Sequence, residues 1–303
     1  MKWVTTSWTH SMHPFRFVDA VLDPAIRTRF LHLPTRAQQE RNMQAVLQKY
    51  NLPDVIAGVD GCHIPFLERP RNIPGGRDHV AFINRKGFYS LNAQIVGGID
   101  RRIYDIQLSS PGSFHDAATW TMSLFKGWLE TRNELGGLVL ADSAYPLSQY
   151  CLTPYDEQES QTCDSKCLFN VRHSQARVEM TENIYGMWKK RFPLIKHIRL
   201  HVNNAVRVIT ASAVLHNMAI EWNDTLPELQ MELPQPVPVP AGVRPHVVVQ
   251  PPADLPEVRR ASAAYRDDYR MRRMGQNISA DERYKILNHR AATLERRAAR
   301  RQH

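Results

Sequence analysis

The sequence predicts an α/β chain: a mixed sheet flanked by helices, then a Pro-rich linker and a basic helical tail. Three observations predict this. Short Val/Ile/Leu-rich runs are bounded by turn residues, helical stretches lie among and after them, and the composition changes sharply after residue 224. The expected organisation is a poorly ordered segment at 1–28, a catalytic-type domain at 29–224, the linker at 225–256 and the tail at 257–303.

Each element has a local reason. Residues 1–28 show no clear period and no cap. Residues 35–50 read as a helix, with Thr35 as its cap and Met43, Val46 and Leu47 on one face. Residues 55–59 form a short buried strand ending at Asp60. Residues 89–99 and 103–108 read as two more strands, with Asp100-Arg-Arg as the turn between them. After the Pro111-Gly112 break, residues 116–130 read as a helix with His115 or Asp116 at its start. Residues 138–141 give a fourth strand ending at Asp142, and residues 168–170 read as a fifth. Residues 174–191 and 204–222 read as helices, and Glu182 lies on the first of these. This order is that of an RNase H-like α/β fold, in which strands 1 and 4 are neighbours and bring Asp60 and Asp142 together.

Pro234-Gln-Pro-Val-Pro-Val-Pro240 and Pro251-Pro252 disfavour both helix and sheet and indicate an extended linker. Beyond it, Ser279-Ala-Asp-Glu282 fits a capping box that opens a basic helix.

The 303 residues carry a formal net charge of +9. The segment from Glu257 onward holds 12 Arg and 1 Lys against 6 acids, so +7 of that charge sits in the tail. The tail is therefore the expected attractor of polyanions, as a nuclear localisation element, a nucleic-acid clamp or a solvated helix. No apolar run is long enough to span a bilayer. Thr5, Ser7, His10 and His13 interrupt the only signal-like stretch, so an intracellular protein is expected. The cysteines are Cys62, Cys151, Cys163 and Cys167. Cys163, Cys167 and His173 lack a second zinc-ligand pair, and free thiols are the better reading.

Chemistry concentrates around three acids. Asp60 stands in Gly58-Val-Asp-Gly-Cys-His-Ile64 and Asp142 in Leu140-Ala-Asp-Ser-Ala-Tyr-Pro146. Glu182 stands in Glu182-Asn-Ile-Tyr-Gly186. Two aspartates at strand ends and a glutamate on a later helix are what a two-metal phosphodiester site needs. Two hard cations about 4 Å apart can activate water and stabilise the leaving oxygen. Such cations prefer oxygen ligands, and a charge following an apolar strand is otherwise a cost. Glu179 lies one turn from Glu182, and either could be the third ligand.

Other positions keep two readings. His115 and Asp116 could orient a phosphate or support a ligand, or simply cap a helix. Arg85 and Lys86, before Phe88 and Tyr89, could hold a DNA backbone or decorate a hairpin. Lys189, Lys190 and Arg191 could track phosphates or end a solvated helix. For His63, a satisfied histidine beside the strand is the simpler reading.

Across these residues the chain resembles the PIF/Harbinger transposases and the nucleases derived from them. The words that carry the resemblance are Leu33-Pro-Thr35, the Asp60 block, Asn84-Arg-Lys-Gly-Phe-Tyr-Ser-Leu-Asn92, Pro111-Gly-Ser-Phe-His-Asp116 and the Asp142 block. They continue through Leu152-Thr-Pro-Tyr155, Phe169-Asn170, His173-Ser-Gln-Ala-Arg177, the Glu182 block with Lys190-Arg-Phe192, and Leu215-His-Asn217. Their shared order over roughly half the chain is far more specific than any one of them. Cys62 stands where Thr is usual and Ala144 where Gly is usual. The family's longer helical region ahead of the catalytic domain is matched here only by a short, unfamiliar segment.

The resemblance implies an RNase H-like domain with an Asp60-Asp142-Glu182 triad, a divalent cation (Mg or Mn) and hydrolysis of DNA phosphodiester bonds. It also implies a nuclear (or also cytoplasmic) location, a Myb/SANT-like DNA-binding partner and a homo-oligomer as one option. Two alternatives stand beside it: a catalytically silent DNA- or protein-binding factor, and an enzyme acting on RNA or RNA–DNA hybrids.

Overall fold

The computed structural model of the chain describes residues 15–71, 73, 78–132, 135–224, 256–273 and 278–301. A five-stranded sheet organises them. Its strands are β1 (Val55–Pro65), β2 (Ser90–Gly97), β3 (Ile103–Pro111), β4 (Leu138–Leu140) and β5 (Cys151–Leu152). The spatial order is β3-β2-β1-β4-β5. β1 pairs antiparallel with β2 and parallel with β4, and the β1–β4 neighbourhood is the one the element order predicted.

The helices preceding the sheet are α1 (Arg16–Val21), α2 (Pro24–Phe30) and α3 (Arg36–Tyr50). Within the sheet region come α4 (Asp116–Thr121), α5 (Leu124–Arg132) and α6 (Glu157–Thr162). The remaining helices are α7 (Asp164–Met180), α8 (Glu182–Arg191), α9 (Val202–Glu221), α10 (Pro256–Arg273) and α11 (Ala280–Arg301).

β2 is buried along its whole length because helices cover both faces of the sheet. On one face Ile64, Leu91, Ala93 and Ile95 pack with Ile184, Trp188 and Ile209 of α8 and α9. On the other, Val59, Val96 and Tyr104 pack with Trp120, Phe125 and Leu129 of α4 and α5. α3 begins as predicted: Thr35 and Gln38 form a reciprocal capping box, and Asn51 in a left-handed conformation ends the helix. Val46 is fully buried on it, whereas Leu47 points outward at 43% exposure.

Five local expectations are corrected. β1 does not stop at Asp60 but continues to Pro65, pairing with β2 throughout. The polar run from Asp60 to His63 disguised this, because β4 ends there and only β2 flanks that half. The helix expected over 116–130 is broken before α5, where the Ser123 hydroxyl accepts from the Phe125 N–H at 3.1 Å and donates to Asp105 at 3.0 Å. Residues 168–170 are helical, within α7. Every residue from Cys167 to His173 is buried, so the stretch mimics a core strand. The fifth strand is Cys151–Leu152 instead. The helix expected over 174–191 is split at Thr181, after which α8 starts at Glu182.

Residues 1–14 lie outside the described residues. The rest of the segment expected to lack order folds largely as α1 and α2, with Val21 and Phe30 buried against Ala211 and Val214 of α9. Two helices this short carry too few apolar positions to show a period. The Pro-rich linker at 225–256, except Pro256, also lies outside the described residues.

The basic tail returns to the domain. Tyr269 of α10 is 2% exposed and packs with Phe169 and Met180, and its hydroxyl donates to the Pro53 carbonyl at 2.6 Å. Ile286 of α11 is buried against Cys167 and Leu168. The Arg266 guanidinium lies 4.0 Å from the centre of the Tyr155 ring, Arg290 pairs with Asp164 at 2.8 Å, and Glu282 pairs with Arg172. Ser279 and Glu282 form the predicted capping box. Part of the tail's positive charge is thus held in intramolecular contacts rather than presented to solvent.

Candidate active site

The parallel pairing of β1 with β4 sets Gly58 beside Leu140. The ends of the two strands therefore bring Asp142 near enough to Asp60 for its charge to act on that carboxyl. Asp60 projects from mid-strand at the point where β4 has ended, and Asp142 follows in the turn beyond β4. The Asp142 carboxylate accepts from the Ala144 N–H at 2.8 Å, which fixes that turn. Asp116 arrives from the opposite side of the cluster, in the first turn of α4. It accepts from the Asn92 amide at 2.8 Å. Gly61 permits this approach, since a Cβ there would stand 2.1 Å from an Asp116 oxygen.

The electrostatics follow from this crowding. Burial pushes the Asp60 carboxyl up to about 6 against the opposing charge of Arg177, and the charges of Asp142 and Asp116 push in the same direction as burial. Arg177 of α7 is the counter-charge. Its guanidinium donates to Asp60 at 3.0 Å and to Glu182 at 3.1 Å, so it ties two of the three predicted acids together. Glu182 is otherwise open, its side chain 54% exposed. The Tyr185 hydroxyl, one turn along α8, donates within the backbone carbonyls of Asp60 and Ala93, at 2.9 and 2.7 Å, and anchors α8 on β1 and β2.

Glu179 is placed elsewhere. It accepts from Lys49 at 2.7 and 2.8 Å and from Tyr50. Partial burial pushes its carboxyl up, but the Lys49 and Tyr50 hydrogen bonds and the Lys49 charge hold it below its ordinary value. It therefore serves as a brace between α3 and α7, while Glu182 shares the Arg177 guanidinium with Asp60.

A cationic rim adjoins the acids. Lys189 reaches the Cys62 sulfur from α8. Arg85 and Lys86 lie exposed on the Asn84–Phe88 turn, whose tightness rests on Gly87 at φ +78°. The Asn84 side chain accepts from the Lys86 N–H at 2.9 Å and donates to Ser90 at 3.0 Å, and Ser90 meets His63 at 3.1 Å. Burial, then the charges of Arg85, Lys86 and Lys189, lower His63 to about 4, so it is a neutral, hydrogen-bonded ring. His115 is exposed at the N-cap of α4 and makes no capping bond. Lys190 is exposed. Arg191 is separate from the group, with its guanidinium on the carboxylate and carbonyl of Asp224.

Sequence reasoning overlooked Arg177 as a charge partner, Asn92 and Gly61 as the seat of Asp116, and Tyr185 as an anchor. Arg177 and Asn92 lay within the motif words, but only the register shows what they touch.

A family model described as DDE superfamily endonuclease matches residues 59–217, just over half the chain. The chain belongs to the DDE superfamily endonucleases. The match opens one residue before Asp60 and spans Asp142 and Glu182. "Putative nuclease HARBI1" of Bos taurus is 25% identical over 202 residues, covering 64% of this chain and 54% of that protein. The Homo sapiens protein of the same name is 24% identical over 202 residues, with the same coverage. "Protein ALP1-like" of Arabidopsis thaliana is 26% identical over 231 residues, covering 71% of this chain and 54% of that protein. The chain thus spans about half the length of these curated relatives. The Harbinger resemblance read from the motifs is borne out. No solved structure gives a significant match.

Among the described residues, no three His, Cys, Asp or Glu side chains stand close enough together to hold an ion as placed. Glu182 is joined to Asp60 through Arg177 rather than directly. The acids themselves suit a hard divalent cation: all are carboxylates, and the charges of Asp142 and Asp116 add to the burial that raises Asp60. The Arg177 guanidinium occupies the position of positive charge between Asp60 and Glu182.

Among the described residues, no helix is long and apolar enough to cross a membrane.

Proposed function

We propose that this chain is a metal-dependent endonuclease that hydrolyses DNA phosphodiester bonds, with Asp60, Asp142 and Glu182 as its acids. The observation that carries this reading is the buried Asp60 carboxyl, crowded by Asp142 and Asp116 and tied to Glu182 by one arginine. A fold with no use for cations would gain by replacing such a cluster with neutral groups.

Asp60, Asp142 and Glu182 would hold Mg or Mn. Bound metal would supply Lewis-acid stabilisation of the phosphoryl oxygens and a more acidic bound water. The chain's own residues do the rest. Asn92 and Gly61 seat Asp116 beside Asp60. Tyr185 holds the helix that carries Glu182. Lys189 and the Arg85–Lys86 turn offer positive charge to the phosphates on either side of the scissile bond. His115, exposed beside Asp116, is available to a substrate phosphate or leaving oxygen.

The reading carries a nuclear site of action. From the Harbinger resemblance it also carries a Myb/SANT-like partner that would direct the nuclease to DNA, with self-association as an option. A substrate panel tests it: duplex DNA, single-stranded DNA and an RNA–DNA hybrid, each with Mn²⁺ and with EDTA. Metal-dependent cleavage of duplex DNA supports the proposal. Cleavage of the hybrid alone would move the substrate class to RNA. The seat of Arg177 between two acids favours one second reading, a silent DNA- or protein-binding factor, and the absence of cleavage on all three substrates would select it.

A further inference from the structure

A second cationic site lies beyond the end of β1. The isolated parallel bridge between Phe66 and Ile198 pins two distant segments together. The Leu67 N–H donates to the Ile198 carbonyl and the Ile198 N–H to the Pro65 carbonyl, both at 2.9 Å. This brings Arg69 and Arg71 of one segment to Arg199 and His201 of the other. Between them opens a groove of about 390 Å³ with Phe66 and Asn204 in its walls. Arg69, Arg71, Arg199 and His201 are all exposed. Among the described residues no ion pair neutralises Arg71 or Arg199, and Glu68 is the sole acid in the lining. Arg69 leans on His79 at 3.1 Å, which steadies it at the rim.

The groove is in line with the acid cluster. Asp60, Cys62, Ile64 and Phe66 alternate along β1, so they share one face of the strand. On that face Lys189 reaches Cys62, while the Arg85–Lys86 turn acts on His63, whose side chain alternates to the opposite face. Cations therefore flank β1 on both sides between Asp60 and the three arginines, around a strand whose Ile64 and Phe66 are buried. Six residues of strand span about 20 Å, which is roughly six base pairs of duplex at 3.4 Å each. Guanidinium forks match phosphate oxygens in pairs, and an open groove with no base-shaped pocket suits a backbone rather than a small ligand.

We propose that this groove holds the phosphate backbone of a DNA duplex roughly six base pairs from the bond presented to Asp60, through Arg69, Arg71 and Arg199. The inference rests on the nuclease reading for its substrate, but binding can be measured without cleavage.

The test is fluorescence anisotropy of a labelled 20-base-pair duplex with the full chain in EDTA, across a KCl series. The comparison is wild type against the double variant Arg71→Gln/Arg199→Gln. Two lost phosphate contacts should flatten the log–log salt slope by about 1.8 and weaken binding at 0.1 M KCl by roughly 10- to 60-fold. The charge-matched control Arg36→Gln/Arg41→Gln, at exposed positions of α3, should keep the wild-type slope. An unchanged slope in the groove variant, or an equal loss in the control, overturns the proposal. Equal competition by polyglutamate of matched charge also overturns it, in favour of an acidic protein partner. Unaltered melting by circular dichroism shows that the groove variant is folded. The nuclease reading fails separately: groove-dependent binding without metal-dependent cleavage would retain the groove and remove the enzyme.

Discussion

Replacing Asp60 by Asn should make the metal-free protein more stable, and the size of the gain follows from the site. Asp60 ionises near 3.8 when unfolded and at about 6 when folded, because burial outweighs its pairing with Arg177. A carboxyl whose folded value is raised favours folding in its protonated form. Its contribution falls as pH rises from about 4 to about 6 and is then level. At roughly 1.4 kcal/mol per unit, ionised Asp60 costs the fold about 3 kcal/mol above pH 6. Asn keeps the shape and the acceptor for the Gly61 N–H without the buried charge. The assay is urea denaturation of wild type and Asp60→Asn in EDTA at pH 4, 6 and 8. Little difference is expected at pH 4, and a variant more stable by 2–3 kcal/mol at pH 8. A variant less stable than wild type at pH 8 would refute the reasoning, because it would show the Arg177 pair to outweigh the burial cost.

Further outcomes follow from the same geometry. Arg177→Gln should destabilise the metal-free protein by about 1–3 kcal/mol, since Asp60 would keep a buried charge without a partner, and Mn²⁺ should restore part of the loss in a thermal-shift assay. Glu179→Gln should cost about 1 kcal/mol through the Lys49–Tyr50 brace and leave cleavage intact, whereas Glu182→Gln should leave stability nearly unchanged and abolish cleavage. Tyr269→Ala should cost about 3–5 kcal/mol and expose α10 to limited proteolysis, because the ring fills a core shared with Phe169 and Met180.

The adjacency of strands 1 and 4 and the Asp60–Asp142 neighbourhood were legible because they depend on element sequence and on short apolar runs ending in acids. The Thr35 and Ser279 caps were legible because they are local. The 168–170 stretch was not: a helix buried on every side has no polar face to reveal its period. Nor was the continuation of β1 past Asp60, since the functional residues there break the apolar pattern that marks a strand. Glu182 against Glu179 could not be settled from spacing within one turn. Their separation depends on the break at Thr181 and on Lys49, 130 positions from Glu179 in the chain. The tail's charge was legible, but its docking was not, because nothing local separates the buried Tyr269 and Ile286 from exposed apolar neighbours such as Met271, Tyr284 and Leu287.

The most direct measurement is nicking of supercoiled plasmid by the purified chain with Mn²⁺ or Mg²⁺, alongside Asp142→Asn, Glu182→Gln and Glu179→Gln. The account predicts metal-dependent nicking that is lost in the first two variants and kept in the third. Nicking that survives Asp142→Asn, or that is lost in Glu179→Gln but kept in Glu182→Gln, would contradict it.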